Sequence, residues 1–560
     1  MPENLIDVYL GEQQDLTAVE KFALQHDLQQ LPGVQPFYKE LIPKKTPGPG
    51  EQYAFEVNLD QCSGCKACIT ACHNENGLEE DETWRSVGLI HGGTTQQPVI
   101  QHVTSACHHC LDPACMNGCP VNAYEKDTKT GVVKHLEDQC IGCQYCIFTC
   151  SYNVPQYNKK KGIVHKCDMC ISRLEVGEAP ACARACPGQA IRITLVETAA
   201  VKRNPDDYVK IPGAPDSRYT LPTTRYLSKK ELPINMVSAD FGSIKPEHSH
   251  WPLIVMLILT ELSVGAFGAV LFLNQYIGEN LRQNLIPYHV LIAFGVSLLA
   301  LGASVFHLGR PRYAFRAVVG LRKSWLSREI VAFGIFVLLS TIYAFSYWLN
   351  PMKNWVDHWM GNKIILGHNV DILGVLSAFW GIVGIFCSVM VYKKTKRPFW
   401  DHPATSLKFF MTTIILGAAT IFATSLIFSQ IFLNSTKIPV IEGFGKMFCF
   451  IILATTTLKL ILESTIFVHL NDPQLSSLKK TVLLMTRTFQ SATVGRFVCG
   501  VLGGILFPLA FWVLHLELDS TAMACLAVLI FGLSLTGEIL ERYLFFRAVV
   551  SLKMPGGTVA

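Results

Sequence analysis

From Trp251 onward, apolar positions dominate eight long stretches, at roughly 252–274, 288–308, 329–350, 372–392, 407–428, 447–470, 497–516 and 523–543. Each has about the 20 residues an α-helix needs to cross ~30 Å of hydrocarbon while satisfying its own backbone polar groups. The pattern predicts eight transmembrane helices in a membrane domain spanning 251–550. The residues before Trp251 read differently. Within DLTAVEKFALQHDLQQL, Leu16, Val19, Phe22, Ala23 and Leu28 share one helical face, which reads as a peripheral docking helix in an N-terminal extension, 1–50. PKKTPGPGEQ follows as a turn, because Pro and Gly interrupt both regular elements. Residues 51–200 form a cysteine-rich domain. Residues 201–250 are proline-rich without periodicity and read as an extended linker.

Composition sharpens this division. Half of the 560 residues are hydrophobic and only 16% are charged, against roughly 25% in soluble domains. Sixteen of the 20 cysteines lie between Cys62 and Cys186. The net charge of +5 gives no argument for a nucleic-acid partner, but its distribution orients the protein. Loops 309–328, 393–406 and 471–496, on the side of the cysteine domain, carry 14 Lys/Arg; loops 275–287, 351–371, 429–446 and 517–522 carry five. Positive charge is retained inside, so the cysteine domain is expected in the cytoplasm. The first thirty residues hold no twin arginine and no apolar core preceded by basic residues, so no export signal is expected.

The cysteines fall into four groups: Cys62, Cys65, Cys68 and Cys72; Cys107, Cys110, Cys115 and Cys119; Cys140, Cys143, Cys146 and Cys150; Cys167, Cys170, Cys182 and Cys186. The first and third have the C-x2-C-x2-C-x3-C spacing of bacterial ferredoxins, and Pro120 and Pro187 follow the last cysteine of the other two. In such loops three thiolates hold one face of a cubane and the fourth cysteine ligates the neighbouring cluster. Zinc sites use two separated pairs, to which a third cysteine three residues on is surplus. A disulfide framework needs an oxidising compartment. Sixteen thiols match four 4Fe-4S clusters with none left over.

Residues 53–196 resemble the four-cluster electron-transfer subunits that accompany molybdopterin enzymes such as dimethyl sulfoxide reductase, formate dehydrogenase and nitrate reductase; the C-x2-C-x4-C and C-x2-C-x11-C gaps carry the resemblance. WPLIVMLILTELSVGAF, HLGRPRYAFRAV and TGEILERYLFF are similar to the eight-helix anchor subunit of the dimethyl sulfoxide reductase family. The implied fold is an α+β ferredoxin-like domain with four 4Fe-4S clusters, fused to an all-α polytopic membrane domain of eight transmembrane helices. That family makes the two as separate subunits; here a single polypeptide joins them. The resemblance implies that Cys62, Cys65, Cys68 and Cys186 share one cluster, and Cys167, Cys170, Cys182 and Cys72 its neighbour. It likewise joins Cys107, Cys110 and Cys115 to Cys150, and Cys140, Cys143 and Cys146 to Cys119.

The same resemblance carries the family's quinol-binding histidine onto His307, which closes the second predicted span; Arg310, just beyond it on the cysteine-domain side, is a second candidate at the quinol site. An imidazole there can bond a quinol hydroxyl and accept its proton, or simply cap its helix. No molybdopterin-binding domain fits in the remaining residues. The implied function is a wire from menaquinol through the clusters to a separate molybdopterin-containing catalytic subunit, in a bacterial inner membrane and drawing on its quinone pool. Two alternatives stand beside it: reverse flow from a molybdenum dehydrogenase to quinone, and a membrane docking protein for soluble redox partners. Glu261, Lys459, Glu463, Glu538 and Glu541 are costly in lipid and are functional candidates; Lys459 and Glu463, at i and i+4, read as a neutralising pair or a proton path. Cys387, Cys449, Cys499 and Cys525 read as small core residues.

Overall fold

A computed structural model describes residues 40–273, 279–348, 362–365, 368–433, 439–515 and 518–556, together with Glu20. The docking helix expected over residues 16–28 lies outside them apart from Glu20.

Among the described residues, ten strands build the cysteine-rich half: β1 (Glu51–Asn58), β2 (Ser86–Gly93), β3 (Pro98–Ser105), β4 (Tyr124–Lys126), β5 (Val133–His135), β6 (Gln156–Asn158), β7 (Ile163–His165), β8 (Ile191–Glu197), β9 (Arg225–Leu227) and β10 (Val237–Ser238). β1 lies between β8, antiparallel, and β9, parallel; β2 pairs β3 and β10; β4–β5 and β6–β7 are two short antiparallel pairs. The β1–β8 register sets Glu51 opposite Glu197 and Val57 opposite Ile191, so the first and last strands of the domain close it. Tyr53, Ala54, Phe55 and Val57 of β1 are buried.

The stretch expected to be an extended linker does not run free. β9 adds to the sheet beside β1, and Val209 N–H donates to the Thr224 carbonyl at 3.0 Å. Val201, Tyr208, Val209, Ile211 and Tyr226 are buried. Prolines fix φ and withhold N–H donors without preventing single apolar side chains from packing, so an aperiodic segment lies flat on the domain.

The membrane half holds α1 (Trp251–Leu273), α2 (Glu279–Val305), α3 (Trp325–Ser346), α4 (Ile372–Lys393), α5 (Pro403–Leu433), α6 (Pro439–Ser464), α7 (Gln490–Leu514) and α8 (Ser520–Arg547). Among the described residues eight helices are long and apolar enough to cross a membrane, and the protein is a multi-pass membrane protein. Of the boundaries that differ from expectation, three bear on the site and the bundle. α2 ends at Val305, so His307 sits in the following turn rather than inside a span. α3 begins at Trp325 because the Ser324 side chain accepts from Ser327 N–H, a helix-start bond that hydropathy does not sense. α7 starts at Gln490 and carries Arg496 inside, because that charge finds partners within the bundle.

α1 and α5 cross at glycines. A Cβ on Gly265 would lie 2.0 Å from the Thr413 carbonyl oxygen, and one on Gly417 2.4 Å from the Gly265 carbonyl carbon. Small residues permit such backbone approach in lipid, where packing replaces the hydrophobic effect between helices. Gly417→Ala should cost ~1–3 kcal/mol, read as a lowered Tm of the detergent-purified protein; an unchanged Tm would remove the crossing as a structural constraint.

Charges tie the remaining helices together. Arg496 of α7 holds Glu463 of α6 at 2.8 Å and Glu538 of α8 at 3.2 Å; Arg542 of α8 holds Glu261 of α1 at 2.7 Å; Lys408 of α5 faces Glu541 at 3.4 Å. Lys459 contacts Glu538 directly and lies 3.9 Å from Glu463. Four carboxylates thus meet four cations, and the i, i+4 pair read from the sequence is one edge of an interhelical network. Of the four lone cysteines, Cys387 and Cys449 are buried as expected of core residues, whereas Cys525 is exposed and Cys499 only half-buried. Hydropathy marks these helices as spans but not which face of each looks outward.

Candidate iron–sulfur and quinol sites

The cysteine loops repeat one local geometry. Lys66, Gln144 and Cys170 adopt left-handed φ of 64°, 59° and 48° immediately before short helices, turning the backbone tightly around the thiols. Backbone N–H groups then point at sulfur: Gly142 to Cys140 Sγ and Met169 to Cys167 Sγ at 3.4 Å each, Ala123 to Cys119 Sγ and Ala190 to Cys186 Sγ at 3.2 Å each. The offsets match in pairs, two residues after the leading cysteine and four after the Cys-Pro cysteine. The domain is built twice.

Folding gathers thiols from distant groups. Cys62, Cys65, Cys68 and Cys186 line one small pocket; Cys107, Cys110, Cys115 and Cys150 line another. Cys72 lies near Cys170 and Cys182, and Cys167 near Cys72, while Cys119 lies near Cys140, Cys143 and Cys146. Among the described residues no three such ligands converge on a single ion. Four thiols spread around each pocket suit a polynuclear cluster.

The electrostatics fit an anionic group as well. Burial pushes the Cys72 thiol up to about 12 and Cys150 to about 11, so metal binding here would release protons. Buried cations face the same space. Arg85 is 2% exposed, with Nε and Nη2 lacking hydrogen-bond partners, and it lies among Cys68, Cys72, Cys167 and Cys182. Lys166 Nζ sits 3.7 Å from Cys107 Sγ. Neither residue was singled out from the sequence; for Lys166 the available signal was its place next to Cys167.

The group around Cys119, Cys140, Cys143 and Cys146 meets the membrane. Tyr145 and Phe148 belong to the apolar core of the helices, and Tyr145 Oη donates to the Val391 carbonyl at 2.8 Å. In the α2–α3 connection, Arg310 N–H donates to Ile141 O at 3.0 Å and Gly320 N–H to Pro120 O at 2.7 Å. A Cβ on Gly309 would sit 2.1 Å from the Gly162 carbonyl oxygen, so these loops touch backbone to backbone.

His307 stands at this contact. Burial holds its ring below the ordinary histidine value, opposed by a hydrogen bond to the Cys143 backbone; its Nε2 is buried with no hydrogen-bond partner. The His250 ring lies 5.4 Å away, edge-on, and also packs on Phe148 at 5.1 Å. Arg397 lies over Phe148 at 5.1 Å and Trp400 at 4.8 Å. Buried Glu329 accepts from the Ser388 hydroxyl one helix away. Sequence reading passed over His250 and Arg397, which lie just outside span ends where ionisable residues are ordinary, and over Glu329, placed at the edge of its predicted span. The Arg310 guanidinium donates to the Glu137 carbonyl at 2.8 Å and the Lys161 carbonyl at 3.3 Å. It docks the two halves.

Thiol-lined cavities in a ferredoxin-like domain, seated on eight spans, define a membrane-anchored iron–sulfur electron-transfer protein. Residues 99–195 match the 4Fe-4S dicluster domain, and residues 246–547 match the DMSO reductase anchor subunit (DmsC) family. This protein belongs to that family, as an electron-transfer iron–sulfur subunit fused to its anchor. Among curated relatives, the probable anaerobic dimethyl sulfoxide reductase protein YnfG of Escherichia coli is 36% identical over 203 residues, 32% of the present sequence and 98% of that protein. The B subunit of anaerobic dimethyl sulfoxide reductase from Haemophilus influenzae is 35% identical over 161 residues, 27% of the present sequence and 78% of that protein. The nitrate-inducible formate dehydrogenase iron–sulfur subunit of E. coli is 34% identical over 152 residues, 24% of the present sequence and 51% of that protein.

Proposed function

We propose that this protein oxidises menaquinol where the helices meet the cluster domain and passes the electrons to a separate molybdopterin-containing catalytic subunit. The observation that carries this reading is the half-buried His307 ring, one nitrogen directed to the Cys143 backbone and the other, Nε2, shut off from solvent without a partner. With its first nitrogen held, the ring presents Nε2 to accept a quinol hydroxyl proton. Four 4Fe-4S clusters, held by the sixteen cysteines in the sets Cys62/65/68/186, Cys72/167/170/182, Cys107/110/115/150 and Cys119/140/143/146, would supply one-electron carriage. Lys166 lies near both Cys107 and Cys167, which supports continuity between the middle sets. The exposure of Cys65 supports partner docking at that end.

The excess of basic residues in the loops on this side supports a cytoplasmic cluster domain in the inner membrane; protease should reach it in inside-out vesicles and not in right-side-out ones. The formate dehydrogenase relative supports a second reading, in which the current runs to quinone. Cluster potentials separate the two, since uniformly low values favour the reverse flow.

Anaerobic purification from native membranes tests the main reading. A molybdopterin partner should co-purify, and added menaquinol should reduce the clusters; intact clusters indifferent to menaquinol would overturn it. Cys186→Ser should lower iron by about one to four atoms from about 16 per polypeptide, whereas Cys525→Ser should leave it unchanged.

A further inference from the structure

A pocket opens between α5, α6, α7 and α8 on the side of the cluster domain. Phe399, Phe497, Leu478 and Met485 supply apolar walls, and His402, Thr405 and His469 line it with them. Thr405 is 1% exposed, yet its Oγ1 has no hydrogen-bond partner. A buried hydroxyl left so is costly unless something else satisfies it.

The two histidines present complementary nitrogens. Ala404 N–H can only donate, and it lies 3.2 Å from His402 Nδ1, so in the neutral ring Nε2 carries the proton and is a donor. Burial and the nearby Lys408 keep His402 below its ordinary value, favouring that neutral ring. Asp472 can only accept, and its Oδ2 lies 3.0 Å from His469 Nδ1. In the neutral ring His469 Nε2 is then an acceptor, with a carboxylate behind it.

We propose that this cavity is a second quinone-headgroup site, distinct from the contact at His307. A flat apolar ring with oxygens at both ends fits the aromatic walls, the donor of His402, the acceptor of His469 and the unpaired hydroxyl of Thr405. A phospholipid phosphate fits less well. Lys408 and Arg496 are the lysine and arginine of the lining, and each is already paired with carboxylates, leaving no free cation for an anion. Exposed Val468, Leu470 and Val494 beside the cavity offer a surface along which an isoprenoid tail can leave into lipid. The site is independent of the His307 reading.

The test is photolabelling of the intact complex in phosphatidylcholine nanodiscs with an azido-naphthoquinone bearing a short isoprenoid tail, adducts being mapped by peptide mass spectrometry. The expected result is two labelled places, one near His307 and one on the segments around Phe399–Thr405 and Ile466–His469. Thr405→Val and His469→Gln should each lower the second adduct at least tenfold and spare the first, and His307→Ala should do the reverse. Cluster absorbance reports folding, and if one variant fails to fold the other decides. A cavity adduct with none at His307 sinks the primary site and keeps this one. Absence of the cavity adduct, an adduct unchanged in both variants, or a bound phospholipid that excess quinone does not displace, overturns the proposal.

Discussion

In His307→Ala, menaquinol should reduce the clusters at least a hundredfold more slowly, while dithionite reduces them as in the unaltered protein. The magnitude follows from removing a positioned proton acceptor, typically worth 10²–10⁴ in rate. The geometry makes the loss selective. His307 lies in the turn after α2, contacts the cluster domain at the Cys143 backbone and ligates nothing in the proposed cluster sets. Its Nε2 makes no structural hydrogen bond, so truncation leaves no buried protein partner stranded on that side. His307→Gln keeps a polar side chain of similar reach without a basic nitrogen and should recover folding controls but not the rate. Stopped-flow absorbance of the clusters after menaquinol addition measures the effect. A rate within twofold of the unaltered protein would remove His307 from the quinol site and reopen the docking-protein reading.

Arg542→Met should destabilise the membrane half by about 3–5 kcal/mol, the usual cost of leaving a buried charge without its partner. Arg542 is 0% exposed. Its guanidinium holds Glu261 of α1 at 2.7 Å, bonds neighbouring Glu541, and lies 3.8 Å over the Phe409 ring of α5. One side chain therefore joins three helices, and methionine would fill the volume while stranding the Glu261 carboxylate and leaving Glu541 to Lys408 alone. Arg542→Lys keeps the charge but loses the fork and the stacking face, so an intermediate loss is expected. Size-exclusion profiles and Tm in mild detergent, with iron content as the control for the soluble half, separate the outcomes. Arg542→Met combined with Glu261→Gln should recover part of the loss; no loss in the single variant would mean that the network is dispensable.

Much of this was legible in the residues themselves. Four cysteines within eleven positions must share a loop, whatever the other residues do, so the spacing at Cys62–Cys72 and Cys140–Cys150 sufficed to point to clusters. Twenty apolar residues in a row must be shielded from water, and that condition is local, so eight spans could be counted. The charge of the loops and the class of protein followed from the same local facts, with the family resemblance supplying the pairing of the cysteine groups.

Other features came only with the tertiary structure, because they depend on residues far apart in the sequence meeting at hydrogen-bond distance. Which carboxylate neutralises Lys459 is decided by the packing of α6 against α8, which brings Glu538 closer than the sequence neighbour Glu463. Arg310 clamps the two halves because the loops at Glu137 and Lys161 offer it carbonyls. His250 joins His307 only where two span ends converge, and Thr405 becomes significant only once its hydroxyl is buried without a partner. Periodicity and spacing constrain what each segment must bury or bind; the partner is set by packing, a property of the whole molecule.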